Sequence, residues 1–273
     1  MPEQFNQILA INDLSSLSRC SLGVAIPIIT RLGVKCCGVP TAILSRHTGN
    51  EKYFFDDYTD NMKCMLDDMY DDVFSLIYTG FLGSEKQIDI VAEFIKNYKH
   101  NAKVLIDPVM GDNGDKYDTY THDMCDKMKK LVRMAHIVTP NVTEACILTG
   151  ERYISDFISM EKAENMAMAI SEMGAENVII TGIKNGDTIS NFVYNAKTGS
   201  KTIHTSPLCE VYYSGTGDVF ASVVSACVAK GMDVDKAVEK ATEFTYKATI
   251  TSHKMGIHPV EGIAIESVIE YLK

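Results

Sequence analysis

The 273-residue sequence lacks several features that mark large classes of protein. It has no run of five or more lysines and arginines, and its formal net charge of -10 would repel a phosphate backbone, so nucleic-acid binding is not expected. Its longest apolar runs, such as LGVAIPIIT, fall far short of the roughly 20 residues that a membrane span needs. The segment MPEQFNQILAIND has no basic stretch followed by an apolar one, and we therefore expect a cytoplasmic protein.

The sequence also lacks the motifs of zinc fingers, P-loop proteins and Rossmann proteins. Its eight cysteines include no C-x-x-C pair, so we expect reduced thiols, mostly in the core. There is no G-x-x-x-x-G-K-[ST] motif, and no G-x-G-x-x-G follows the first strand. No low-complexity linker and no internal repeat occurs, which predicts a single domain over residues 1–273.

What the sequence does contain is a regular alternation of short β-rich runs and amphipathic segments. QILAI, VFSLIYTG, AKVLIDPV and ENVIITG are typical of strands, and helical patterns separate them. This alternation predicts an α/β fold with a mostly parallel central sheet and helices on both faces. ISNFVYNAKTG and KTIHTSP, separated by a Lys-Thr-Gly turn, predict a short antiparallel edge. Three further helices are predicted from residues 217, 234 and 261.

Polar residues gather just after the predicted strands. In open parallel sheets, ligands bind beyond the carboxyl ends of the strands, which directs attention to Asp107, Asn141 and the Thr181-Gly182 pair. Carboxylate and amide oxygens of Asp107, Asn141 and Glu144 are ligands that Mg²⁺ accepts, directly or through water. Asn141 and Glu144 also have the spacing of a helix capping box, and the two roles can coexist.

The segment SGTGD runs straight into an unbroken apolar helix. Gly215 and Gly217 allow a sharp turn with converging N–H groups, and the start of a helix adds the positive end of its dipole, which predicts an anion hole. The ordinary alternative is a loop in which Asp218 caps the helix. His47 and Thr48 lie in a polar turn, for which a solvated loop is the alternative.

Together these segments resemble the pyridoxal kinase family of the ribokinase-like superfamily, over essentially the whole chain. SGTGD resembles the superfamily's C-terminal signature, while DPVMGD and TPNVTEA resemble the segments that support Mg²⁺ and the ATP phosphates. LSRHTG resembles the turn that contacts the pyridine substrate, and YTGFLGS matches a strand end that supplies an aromatic residue. The resemblance implies a single-domain, three-layer sandwich.

The resemblance also implies an activity, the ATP-dependent phosphorylation of the 5'-hydroxymethyl group of pyridoxal, pyridoxine or pyridoxamine. It implies a homodimer, and a monovalent cation such as K⁺ beside ATP and Mg²⁺. The site residues that it implies are Asp218 as catalytic base; Gly215, Thr216 and Gly217 in the anion hole; Thr139, Asn141, Thr181 and Gly182 on ATP; Asp13, His47, Thr48 and Phe81 on the vitamer; and Asp107 and Glu144 on the metal.

Departures from the family pattern bear on the substrate. Arg46 stands where the usual turn has asparagine, and Phe81 stands where tyrosine is common. The nearest alternative is a hydroxymethylpyrimidine kinase of thiamine synthesis, which performs the same chemistry on a ring of similar shape; His47, Thr48 and Phe81 favour the B6 vitamers. An alternative of another class is a non-catalytic vitamin or nucleotide carrier, against which the complete base and anion hole argue.

Overall fold

The computed structural model describes residues 6–273. The elements in chain order are β1 (Gln7–Ser15), α1 (Ser21–Arg31), β2 (Lys35–Leu44), β3 (Phe55–Asp57), α2 (Thr59–Asp68), β4 (Leu76–Thr79), α3 (Glu85–Asn97), β5 (Lys103–Ile106), β6 (Gly111–Asp112), β7 (Asp115–Lys116), α4 (His122–Val132), β8 (Ile137–Val138), α5 (Val142–Thr149), α6 (Met160–Glu172), β9 (Asn177–Asn185), β10 (Thr188–Asn195), β11 (Lys201–Pro207), α7 (Thr216–Ala229) and α8 (Val234–Lys254). Over this range, no helix is both long and apolar enough to cross a membrane.

The tertiary contacts divide the described residues into two compact units, each assembled from separate stretches of the chain. The first unit contains the residues up to Gly80 together with Lys99–Ala102 and Cys209–Lys273. The second contains Phe81–Tyr98 and Lys103–Leu208. A single domain over residues 1–273 therefore stays a prediction.

In the first unit, β4, β1 and β2 lie side by side in parallel, and β3 pairs antiparallel with β2. Four successive residues of β1, from Ile8 to Ile11, are fully buried, as expected for a parallel strand that is covered on both faces. Helix α7 packs against β1, β4, α1 and α8. Its residues from Val219 to Ala229 are all buried, which explains why its sequence is apolar all round.

In the second unit, β5, β8 and β9 are parallel neighbours, and β10 and β11 continue the sheet in antiparallel order. The predicted antiparallel edge is confirmed, as is the α/β architecture with mostly parallel strands. Helices α5 and α6 pack together, and α6 covers β9 and β10. The polar segment after β5 contains the hairpin β6–β7, with two residues in each strand.

The helix predicted from residue 261 is wrong. Three short 3₁₀ turns occupy this region instead, at Pro259–Glu261, Ile265–Ser267 and Ile269–Tyr271. Gly262 has φ 83°, outside the helical range, and the backbone N–H of Ala264 donates to Ser252 Oγ at 2.8 Å rather than to a helical carbonyl.

Candidate active site

Helix α7 begins on a glycine turn that the backbone geometry requires. Its N-cap is Gly215, with φ 80°, and a Cβ at this position would lie 2.1 Å from the carbonyl oxygen of Arg19. Asp218 is the third residue of the helix, so the alternative in which it is the N-cap is wrong. The first N–H groups of a helix have no partner within the helix, and here they belong to Thr216, Gly217 and Asp218.

Two N–H groups from other elements of the first unit face the Asp218 carboxylate. Asn12 Nδ2 donates to Asp218 Oδ1 at 3.0 Å, and the backbone N–H of Ser21 faces this carboxylate and favours its ionised form. Burial raises the pKa of Asp218 to about 6, with a further contribution from the negative charge of Asp13, and the two donors oppose this rise. A carboxyl with this pKa is ionised at neutral pH and is a stronger base than an exposed aspartate.

Asp13 lies inside β1, where it is only 6% exposed. Its two oxygens accept hydrogen bonds from Ser15 Oγ at 2.7 Å and from Ser21 Oγ at 2.5 Å. Burial raises the pKa of Asp13, and the hydrogen bonds from the Ser21 and Ser15 hydroxyls oppose this rise. The negative charges of Asp13 and Asp218 therefore act on one another within the first unit.

Both ring nitrogens of His47 are engaged by the backbone. Nε2 lies 2.7 Å from the carbonyl oxygen of Val260, and Nδ1 accepts from the N–H of Gly49 at 3.1 Å. These partners assign the neutral tautomer with its proton on Nε2. His47 therefore ties the turn to the segment after α8, while the neighbouring Thr48 is exposed.

In the second unit, the predicted capping box at the start of α5 is confirmed. The side chain of Asn141 accepts from the N–H of Glu144 at 2.9 Å, and Glu144 Oε2 accepts from the N–H of Asn141 at 2.9 Å. Glu144 Oε1 also accepts from the N–H of Met110 at 3.1 Å, and Asp107 Oδ1 accepts from Thr139 Oγ1 at 3.0 Å.

Glu144 and Asp107 are both buried, at 4% and 7% exposure. Burial raises the pKa of Glu144 well above its usual range, and the charge of Asp107 raises it further. Two buried carboxyls that repel one another fit a divalent cation, and Mg²⁺ in phosphoryl transfer needs only one or two protein carboxylates beside water and phosphate. No group of three or more His, Cys, Asp or Glu residues suited to a metal occurs between residues 6 and 273, so a closed protein cage is not formed there.

The residues predicted to bind ATP lie together in the second unit. Asn141 forms a parallel bridge with Thr181, and the N–H of Thr181 donates to the carbonyl of Pro140 at 2.9 Å. Gly182 follows with φ 76° and open space where a Cβ would be. Phe81 is half-buried and also belongs to the second unit, whereas the other three residues predicted to bind the vitamer belong to the first.

Asn12 and Ser21 were not among the site residues predicted from the sequence. The available signal was weak: a polar residue within a buried apolar run for Asn12, and a serine close to a predicted helix start for Ser21. Their proximity to Asp218, which is about 200 positions away in the chain, can be seen only in the folded structure.

Comparison with known proteins adds the family. The phosphomethylpyrimidine kinase family model matches residues 26–261, most of the chain. The chain belongs to this family. Family membership supports phosphotransferase activity with ATP as the phosphate donor.

Relatives of both substrate classes are similar to the chain. It is 31% identical to the hydroxymethylpyrimidine/phosphomethylpyrimidine kinase of Haemophilus influenzae, over 67% of each protein. It is 29% identical to the pyridoxine kinase of Bacillus subtilis, over 78% of this chain and 77% of that one. A crystal structure from Bacteroides thetaiotaomicron that carries the name phosphomethylpyrimidine kinase is 33% identical, with a TM-score of 0.95 over 100% of this chain and 95% of that chain. A second crystal form of that protein contains pyridoxal and has a TM-score of 0.93, over 98% of this chain and 96% of that chain.

Proposed function

We propose that the protein phosphorylates the 5'-hydroxymethyl group of a B6 vitamer, pyridoxal, pyridoxine or pyridoxamine, with ATP. The observation that carries this proposal is the Asp218 carboxylate, held by Asn12 and Ser21 in the first turn of a helix that starts at a glycine turn. A carboxyl with a raised pKa beside the first N–H groups of a helix supports the proposal, because phosphoryl transfer uses a proton acceptor and N–H donors to the phosphoryl oxygens. The choice of B6 vitamers is supported by the pyridoxal found in the similar structure from B. thetaiotaomicron.

In the proposed reaction, the hydroxymethyl oxygen attacks the γ-phosphorus of ATP while its proton passes to Asp218. The new O–P bond forms as the bond between the γ-phosphorus and the β,γ-bridging oxygen breaks, and ADP leaves. An alcohol is a far weaker acid than a carboxylic acid, so the proton moves late, in keeping with a loose transition state. The N–H groups of Gly215, Thr216 and Gly217 stabilise the charge on the transferring phosphoryl group.

We assign the residues of the second unit to the nucleotide and its metal. Asp107 and Glu144 would hold Mg²⁺, directly or through water, and the ion when bound neutralises charge on the phosphate oxygens. Thr139, Asn141, Thr181 and Gly182 would line the phosphates. Requirements for K⁺, a homodimer and a cytoplasmic location are expectations that come with the resemblance.

We assign Asp13, His47 and Thr48 of the first unit to the vitamer. Asp13 already accepts two hydroxyl donors, and a carboxylate has further acceptor capacity for a ring N–H or hydroxyl group. His47 shapes the turn through Val260 and Gly49, and Thr48 beside it is the exposed polar group that would meet the ring.

Hydroxymethylpyrimidine is the second candidate substrate, because the H. influenzae relative that phosphorylates it is 31% identical. The test is the kcat/KM of the purified protein with ATP and Mg²⁺ for the three B6 vitamers and hydroxymethylpyrimidine, measured separately. We expect the highest value with a B6 vitamer. A higher value with the pyrimidine would replace the proposal with the second candidate, and no vitamer-dependent ATP consumption would support a non-catalytic carrier.

The role of Asp218 is tested in the same assay. Asp218→Asn should lower kcat by about 10²- to 10⁴-fold, the usual contribution of a positioned base. A variant that keeps most of its kcat would remove the base assignment, whichever substrate is preferred.

A further inference from the structure

Two residues outside the predicted site, Asn12 and Ser21, flank the Asp218 carboxylate. Asn12 lies on β1 and is fully buried, and Ser21 starts α1 and is 6% exposed. Asn12 Nδ2 donates to Asp218 Oδ1 at 3.0 Å, and the Ser21 N–H faces the same carboxylate. Both donors therefore favour the ionised form of a group that burial makes reluctant to ionise.

The position of Asn12 is fixed by its neighbours. Its Oδ1 accepts from the N–H of Asp13 at 2.9 Å, which orients the amide with its Nδ2 toward Asp218. On the adjacent strand end, the N–H of Gly80 donates to the carbonyl of Ile11 at 2.9 Å. A Cβ at Gly80 would lie 2.2 Å from Asn12 Nδ2, so only glycine leaves room for the amide in this place.

The position of Ser21 has a conformational cost. Its φ is 52°, in the left-handed region that a residue with a Cβ rarely adopts. The hydroxyl donates to Asp13 Oδ1 at 2.5 Å, and Asp13 is in turn bound by Ser15 at 2.7 Å. Backbone strain of this kind persists only where surrounding contacts hold it, and here it directs an N–H to the proposed base.

We propose that Asn12 and Ser21 are positioning residues, whose two N–H donors hold the Asp218 carboxylate in the orientation in which it accepts the substrate proton. Asp13 anchors both, through its own N–H and through its carboxylate. The inference rests on the proposed role of Asp218 as base. The other titratable groups around Asp218 are Asp13 on β1 and the Cys20 thiol immediately before α1.

The first test is Asn12→Leu, which removes the side-chain donor and keeps the number and branching of the side-chain heavy atoms. A hydrogen bond to a charged group is worth enough that its loss should raise the pKa of Asp218 by about 1 pH unit. At pH 6 the ionised fraction, and with it kcat, should fall about fivefold, whereas at pH 8 it should change by less than about 1.2-fold. A purely structural defect would lower kcat by the same factor at both pH values.

The matched control is Asn177→Leu, another buried asparagine whose side chain is hydrogen-bonded, in its case to the carbonyl of His136 at 3.2 Å. It should lower stability without moving the pH dependence of kcat. The titration of the Asp218 carboxyl is followed in the substrate-free protein by ¹³C NMR, with Asp218→Asn used to assign the signal. A folded Asn12→Leu protein whose Asp218 titrates at the wild-type pH would overturn the proposal.

A second pair of variants separates the Ser21 backbone from its hydroxyl. Glycine adopts φ 52° freely, so Ser21→Gly should keep the N–H on Asp218, whereas Ser21→Ala keeps a Cβ in the left-handed region without the bond to Asp13. The pKa of Asp218 should therefore be closer to wild type in Ser21→Gly than in Ser21→Ala. Equal titrations in the two variants would refute the backbone role.

These measurements also distinguish this inference from the proposed function. If Asp218→Asn retained activity while Asn12→Leu still shifted the carboxyl titration, the base assignment would fail. In that case the proposed positioning of a catalytic base would be overturned with it, although the hydrogen bond itself would be established. If Asp218→Asn were inactive but the Asp218 carboxyl of Asn12→Leu titrated as in the wild type, the positioning role alone would be refuted.

Discussion

Replacing Asp218 by asparagine should stabilise the folded protein while it lowers kcat. Burial raises the pKa of this carboxyl from its ordinary 3.8 to about 6. The native carboxyl therefore binds its proton more tightly than the unfolded chain does, and stability falls as the pH rises from about 4 to about 6. The difference of about two pH units, at 1.36 kcal/mol each, gives an upper limit of about 3 kcal/mol at neutral pH.

Asparagine is isosteric and uncharged, so it removes the cost of ionisation and keeps an oxygen that can accept from Asn12 or Ser21. Its amide N–H groups need acceptors of their own, and we expect a net gain of about 1 to 3 kcal/mol in the free energy of unfolding at pH 7. The assay is urea unfolding followed by far-UV circular dichroism, at pH values from 4 to 8. The gap between variant and wild type should widen up to about pH 6 and then stay constant.

The control for this experiment is Asp118→Asn, at an exposed loop position. Such a surface change should alter the free energy of unfolding by no more than about 0.5 kcal/mol. If the Asp218→Asn protein were less stable than wild type at pH 8, or if the gap did not depend on pH, the reasoning would be refuted. Such a result would mean that the two N–H donors stabilise the carboxylate more than burial destabilises it.

Two further predictions concern the glycine turn and the metal. Gly215→Ala should lower the free energy of unfolding by about 3 kcal/mol or more, because a Cβ there meets the Arg19 carbonyl and φ is strained at 80°. Gly231→Ala, with φ 85° but open space for a Cβ, should lower it by only about 1 kcal/mol. Thermal unfolding of the two variants checks this difference. Glu144→Gln should raise the Mg²⁺ concentration for half-maximal activity by about tenfold or more, with little change in melting temperature because glutamine also serves in a capping box. Glu151→Gln, at an exposed position, should leave the Mg²⁺ requirement unchanged, and an equal shift in both variants would contradict a local metal role.

Local patterns were sufficient to predict most elements of the fold. Strand β1 could be predicted from its apolar run, because a strand buried on both faces is apolar throughout. Helix α6 could be predicted from its amphipathic pattern, because only one of its faces is buried. The β10–β11 hairpin follows from its turn residues. The helix predicted from residue 261 failed because Ser252, a tertiary partner, takes a backbone N–H that a helix would use internally.

Some residues of the candidate site could also be predicted from local sequence patterns, and others could not. Asp107, Asn141 and Glu144 could be predicted because they follow strand ends or have the spacing of a capping box. The roles of Asn12 and Ser21 depend on a contact with α7, and no local signal reports a contact between residues 206 positions apart. The same holds for the ring partner of His47, Val260, which lies 213 positions away, while the contact of His47 with the vitamer stays a prediction.

The energetic costs at Asp218 argue for turnover rather than storage. A carrier would bind its ligand equally well with asparagine in this place, and it would avoid the cost of ionising a half-buried carboxyl. It would also have no use for a serine held at φ 52° to direct an N–H at that carboxyl. Proteins retain such destabilising features where an activity depends on them, because selection for stability alone would remove these features. The strained serine, the buried amide and the glycine that leaves room for it are therefore best explained together, by the need for an ionised, oriented base.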